Sequence, residues 1–284
     1  MTNWLNIKDK LNDSIGFAKQ LLLLLLGVYV FILAEDQRLL KVPLFFIGLL
    51  SWFLWRDRIK HPIIWIVFLV TLLLDLYHSY FWVANHHFML LFMVLSIIFF
   101  YYHKSQNILL INIQIIVIIV VLTSALQKLL SSQFVSGDFY YYMMNRGKLF
   151  NFFINFFPEI HQVAESNEES LLALYATDPN LEQSIVLKDV VPNLRLISLI
   201  FSWVTVAVEF LVAVALIWKP RSMWTHLLFA GMILGILCVR FETGFMGLLA
   251  ICGLFLCKNL KLRVLYTIIV MACISLIVTK IGFH

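Results

Sequence analysis

Apolar runs long enough to cross a bilayer recur along most of the chain, at about 17–34, 39–55, 62–80, 87–102, 108–130, 194–218, 224–240, 244–257 and 262–281. A helix needs roughly 20 apolar residues to span the hydrocarbon, and sometimes as few as 17. Long continuous runs exclude sheet at that depth, because a membrane barrel alternates apolar and polar residues in short strands. The runs at 39–55, 87–102, 224–240 and 244–257 are the short ones, so eight or nine spans are expected. Composition agrees: 62% of the 284 residues are hydrophobic and 13% charged, with a mean hydropathy of +0.93. A soluble domain is about half apolar and a quarter charged. These values exclude a cytosolic enzyme, a nucleic-acid binder and a disordered chain. The expected fold is all-α, a polytopic transmembrane helix bundle forming one domain over 1–284.

The net charge of +5 reflects topology. With the N-terminus inside, the cytoplasmic turns hold Lys8, Lys10 and Lys19, then Arg56, Arg58 and Lys60, then Lys104, Lys219 and Arg221, and Lys258, Lys261 and Arg263. The outer side keeps Arg38, Lys41, Arg240 and Lys280. This positive-inside bias sets the orientation and suits a bacterial inner membrane. Lys8, Lys10 and Lys19 before Leu21–Leu26 mimic a secretory leader, but no small-residue cleavage site follows, so an uncleaved first helix is expected. Cys238, Cys252, Cys257 and Cys273 have no metal or disulfide spacing and read as small apolar packing residues.

The stretch 131–193 is the sizeable polar insert, placed outside by the same orientation. It begins with the aromatic cluster Phe139-Tyr140-Tyr141-Tyr142, suited to a membrane interface. It is too long for a simple connection and is expected to fold into short helices.

Ionisable groups inside a bilayer are costly, so each is a candidate site. Lys128 lies near the outer end of the fifth run, with Ser124 and Ser132 at four-residue spacing and Gln114 on nearly the same face. A dry lysine can shed its proton and act as a base; the alternative is a lysine that snorkels to the headgroups. Asn85-His86-His87 sits at the same outer side, either as a polar turn or as a group that binds a carbonyl, a quinone oxygen or an anion. Asp75 and His78 stand three apart on the third run and can pair. Glu209 stands mid-span with Thr205 one turn before it, as a packing hydrogen bond or a proton relay. Arg240 and Glu242 flank an outer turn and can pair with each other or with Lys128. No phosphate loop, dinucleotide motif or zinc-spaced cluster occurs, and no metal is expected.

Several of these segments resemble one family. Trp82-Val83-Ala84-Asn85-His86-His87 is similar to the membrane segment of vitamin K-dependent gamma-carboxylases that carries an Asn-His pair. Gln127-Lys128-Leu129 followed by Phe134-Val135-Ser136-Gly137 resembles their Lys-Lys-Leu and Trp-Val-Glu-Gly. Val206-Ala207-Val208-Glu209-Phe210, ending in Lys219-Pro220-Arg221-Ser222, is similar to a later helix with a mid-span acid and a basic turn. Phe241-Glu242-Thr243-Gly244-Phe245-Met246 resembles Ser-Ile-Gly-Met-Phe. The order of the four matches is kept. They indicate the horizontally transferred transmembrane (HTTM) family, to which the carboxylase membrane domain belongs. Gln127 and Phe134 depart from the pattern.

The resemblance implies that Lys128 acts as base on reduced vitamin K or another quinol, assisted by Asn85 and His86, at an outward-facing site. It implies a carboxylase-like enzyme acting on a peptide or lipid. The carboxylases carry a large lumenal domain after the bundle, whereas here His284 follows the last run directly. The 131–193 stretch is therefore the expected dock for a secreted peptide or protein. The alternatives are a non-catalytic membrane subunit for maturation or export of a secreted peptide, and a proton-coupled transporter using Asp75 and Glu209.

Overall fold

The computed structural model describes residues 11, 13–33, 42–43, 46, 62–78, 85–178, 180 and 183–279. The expected span at 39–55 lies almost wholly outside them. Among the described residues the structure is helical, with no strand. In chain order the helices are α1 (Ser14–Leu33), α2 (Ile63–His78), α3 (Asn85–His103), α4 (Gln106–Leu130), α5 (Ser132–Val135), α6 (Asp138–Asn145), α7 (Asn151–Ile154), α8 (Pro158–Tyr175), α9 (Leu194–Trp218), α10 (Met223–Arg240), α11 (Thr243–Leu256) and α12 (Leu260–Val278). Five of them, α3, α4, α9, α10 and α12, are long and apolar enough to cross a membrane, and α1, α2 and α11 contain shorter apolar helices.

The spans carry apolar residues on both faces. On α4, Leu109, Ile113, Val117, Val121 and Ala125 are buried at four-residue spacing, while Ile108, Ile111, Ile115 and Ile119 are exposed. Water would penalise that outer face, whereas lipid accepts it. The chain is an integral membrane protein.

The chain divides into two compact units. One comprises Met1–Val120, Ala213–Ile233 and Glu242–His284; the other comprises Val121–Val212 and Leu234–Phe241. In the first unit α11 is the central helix, contacting α12, α1 and α3. It is apolar all round, and Met246 to Leu256 are buried on every side, as such a helix requires. Its small residues allow close approach: a Cβ on Gly253 would come within 2.5 Å of the Tyr266 ring on α12. Asn259 caps α12, its side chain accepting from Lys261 N at 2.9 Å. Cys252, Cys257 and Cys273 are buried as expected for packing residues, while Cys238 is exposed.

The second unit holds the 131–193 insert together with the adjoining stretches of α4, α9 and α10. Its core is formed by Phe134, Tyr140, Met144, Leu149, Leu194 and Val206. The insert therefore packs on the span α9 and is no free-standing loop. Short helices were expected here; α5, α6 and α7 are short, and α8 reaches 18 residues, started by Pro158 at its first turn. Asn167 ties the lobe together. Its Nδ2 donates to the carbonyls of Asn145 at 2.9 Å and Lys188 at 2.8 Å, and its Oδ1 accepts from Lys188 N at 2.9 Å.

Gly137 fixes the corner before α6. Its φ of +83° suits glycine, and a Cβ there would meet the Leu199 backbone at 2.8 Å.

Candidate functional site

Charged side chains in spans need partners, and Lys128 finds them within the second unit. Its Nζ donates to Ser124 Oγ at 2.6 Å and to Glu209 Oε1 and Oε2 at 2.7 and 2.8 Å. All three ammonium hydrogens are thereby used. Ser124 lies one turn earlier on α4, while Glu209 reaches across from α9. The Glu209 side chain is 6% exposed and that of Lys128 22%, so the carboxylate is the deeper partner. The Phe134 ring centroid lies 5.8 Å from Nζ, within cation–π range.

Serine 132, expected on the Lys128 face, is elsewhere. Helix α4 ends at Leu130, Ser131 is extended with φ −86° and ψ 112°, and Ser132 opens α5 as an exposed residue. The four-residue spacing carried no such warning, because it holds only while the helix continues.

On α9 the residues Ser198, Ser202, Thr205 and Glu209 recur at helical spacing and form a polar stripe in an apolar span. Ser198, Ser202 and Glu209 are buried. Thr205 Oγ1 is 2.8 Å from Tyr140 OH. Tyr140 packs edge-on against Phe134, at 5.4 Å between centroids. The Ser202 hydroxyl is buried with no hydrogen-bond partner among the described residues.

The other predicted residues, Arg240 apart, belong to the first unit. Asn85 begins α3. His86 packs edge-on against Tyr29 at 5.8 Å and stacks with Phe245 at 6.2 Å. His87 makes the hydrogen bonds: its Nε2 lies 2.8 Å from Leu72 O and its Nδ1 3.1 Å from Tyr29 OH. Since a carbonyl only accepts, Nε2 carries the hydrogen, and in the neutral ring Tyr29 donates to Nδ1. Asp75 on α2 is buried. His78, expected beside it, is exposed and packs on Tyr77 at 5.3 Å. Glu242 is the N-cap residue of α11. Arg240 belongs to the second unit, and its guanidinium lies over the Phe139 ring at 5.8 Å. Gln114 donates to Leu216 O at 2.9 Å.

Outside the spans, Arg146, the C-cap residue just after α6, grips Glu168 on α8, donating Nε at 2.5 Å and Nη2 at 2.9 Å. Lys148 Nζ adds a contact at 3.1 Å to the same carboxylate. These cations, Arg146 first, hold the Glu168 carboxyl down at about 2. The same pair raises the Arg146 guanidinium further above its usual range.

The partnership of Lys128 with Glu209 was missed by reading each residue alone. Its signal was present: two opposite charges within apolar runs, each needing compensation. No protein-family model, curated protein or solved structure matches the chain.

Proposed function

We propose that this protein is a multi-pass inner-membrane enzyme of the HTTM type, with eight or nine spans and a cytoplasmic N-terminus. It carries out quinol-linked, carboxylase-like or peptide-modifying chemistry at an outward-facing site whose base is Lys128. The observation that supports this reading is the amine–carboxylate pair inside the second unit. An ammonium must give up a proton before it can take one. The Glu209 carboxylate, at 2.7 Å, is the acceptor in contact. Transfer within the pair creates no net charge in a poorly solvated place, which keeps its cost low.

The donor set fits a quinol hydroxyl on two observations. The Lys128 side chain keeps 22% exposure and can be reached, and the buried Ser202 hydroxyl has unspent hydrogen-bonding capacity among the described residues. A reduced quinol, when bound, supplies the electrons that activate oxygen. Lys128, neutral once Glu209 has taken its proton, would receive and hold the hydroxyl proton at Nζ, the resulting ammonium pairing with the quinolate while Glu209 stays protonated, and Phe134 offers an aromatic face at the amine. Asn85 and His86 assist by the family resemblance. A general base contributes about 10²–10⁴-fold.

A non-catalytic membrane subunit for maturation or export of a secreted peptide is the second reading. It is favoured by the saturation of all three Lys128 hydrogens, which also describes a closed packing pair. The two readings part on one experiment. Protein in nanodiscs is given reduced vitamin K under oxygen, and quinone epoxide is followed by mass spectrometry. The enzyme reading expects epoxide that disappears in Lys128→Ala. Absence of epoxide from folded wild-type protein, with export of the peptide intact in Lys128→Ala, favours the subunit.

A further inference from the structure

The second unit contains a cavity of about 300 Å³, lined throughout by apolar side chains from α6 to α9 and the segments that connect them. Leu149, Phe153, Ile160, Val191, Ile197 and Phe201 represent its walls. We propose that this cavity holds part of one acyl chain of a bilayer phospholipid. The proposal rests on the reading of the chain as a membrane protein and is independent of chemistry at Lys128.

Three observations identify the occupant. First, the lining residues are all apolar. A peptide backbone or a quinone ring would bring polar atoms with nothing to pair with, at a desolvation cost, whereas a hydrocarbon chain brings none. Second, Leu194, Ile197 and Phe201 of the wall belong to the first turns of α9, itself long and apolar enough to span a membrane. The cavity therefore adjoins the level at which that span leaves the hydrocarbon. Third, Phe153, Phe156 and Phe157 are 42, 68 and 57% exposed beside it, forming the aromatic fringe typical of an interface.

Lipid tails are as apolar as the wall, so transfer from bulk lipid supplies little hydrophobic drive. The gain comes from filling space. Protein interiors tolerate few voids larger than a water, and an apolar void stays dry. An acyl chain restores the dispersion contacts that the walls would otherwise lose. The volume sits at the lower end for small-ligand sites, which admits part of one chain and excludes a whole phospholipid.

The test uses the full chain in nanodiscs that contain phosphatidylcholine with a diazirine near the end of one acyl chain. After photolysis, labelled peptides are mapped by mass spectrometry. Label is expected on the 149–160 and 190–197 peptides, beside the lipid-facing label at Ile119. Val191→Trp and Ile160→Trp fill the cavity from different walls. Each should cut the 149–160 and 190–197 label at least tenfold and leave Ile119 unchanged, with a monodisperse elution profile as the folding control. Wild-type protein labelled at lipid-facing positions alone would overturn the proposal, as would label that both fillings leave intact. Displacement of the label by excess isoprenoid quinone, but not by excess unlabelled phospholipid, would overturn the acyl assignment. Epoxide formation is read on the same preparations, so its absence leaves the labelling result standing.

Discussion

Lys128 and Glu209, on two different spans, are joined by hydrogen bonds of 2.7 and 2.8 Å from one ammonium to both carboxylate oxygens. This relationship gives a physical reason for both residues in otherwise apolar helices. It also makes their substitutions interdependent.

The first prediction concerns that interdependence. Lys128→Met or Glu209→Leu alone leaves one uncompensated charge in a span and should cost about 3–5 kcal/mol. The double variant removes both charges and should recover most of that loss. Unfolding of all three in detergent, analysed as a double-mutant cycle, measures the coupling. Additive losses would contradict the pairing.

A second prediction separates the adjacent histidines. His87→Phe removes hydrogen bonds to Leu72 O and Tyr29 OH and should destabilise the first unit by about 1–3 kcal/mol. His86→Phe keeps an aromatic ring against Tyr29 and Phe245 and should change stability by less than about 1 kcal/mol. On the enzyme reading it should nevertheless lower turnover. Thermal melts and epoxide rates on both variants report the two effects.

Gly137→Ala should disable the second unit. The residue needs a left-handed φ, and the added Cβ would meet the Leu199 backbone at 2.8 Å. Strain and overpacking together should exceed about 2 kcal/mol. Loss of protease resistance within 131–193 is the expected readout. Gly244→Ala, where nothing lies within 4 Å, tests the specificity of the effect.

The Glu168 contact predicts an acid-sensitive lobe. Arg146 holds the folded carboxyl at about 2, below its ordinary 4.5. A depressed carboxylate contributes stability that is full above the ordinary value and is lost as pH falls through the folded one. Hydrogen exchange in α8, corrected for its intrinsic pH dependence, should stay slow at pH 6 and accelerate between about pH 4.5 and 2. Glu168→Gln should exchange faster at pH 6 and show a flatter profile over that interval.

Helix type and most helix positions were legible because apolar runs write spans directly into a sequence. Leu260–Val278 and Gln106–Leu130 follow their runs within a few residues. Partnership was less legible. Lys128 was picked out because a charge in an apolar run is costly, but periodicity relates residues within a helix and says nothing of which span lies opposite. For the same reason the sequence marked Asn85-His86, while His87 makes the buried hydrogen bonds. The cavity left no sequence signature, since its walls come from four helices and the segments that connect them, all of ordinary apolar residues.

The most direct test of the central claim compares stability and turnover in one protein. The Lys128→Met, Glu209→Leu double variant should regain most of the stability lost by either single change while forming no quinone epoxide. Wild-type protein should form epoxide under the same conditions. Epoxide at the wild-type rate in the stable double variant would show that the pair only packs the helices, and would contradict Lys128 as the base.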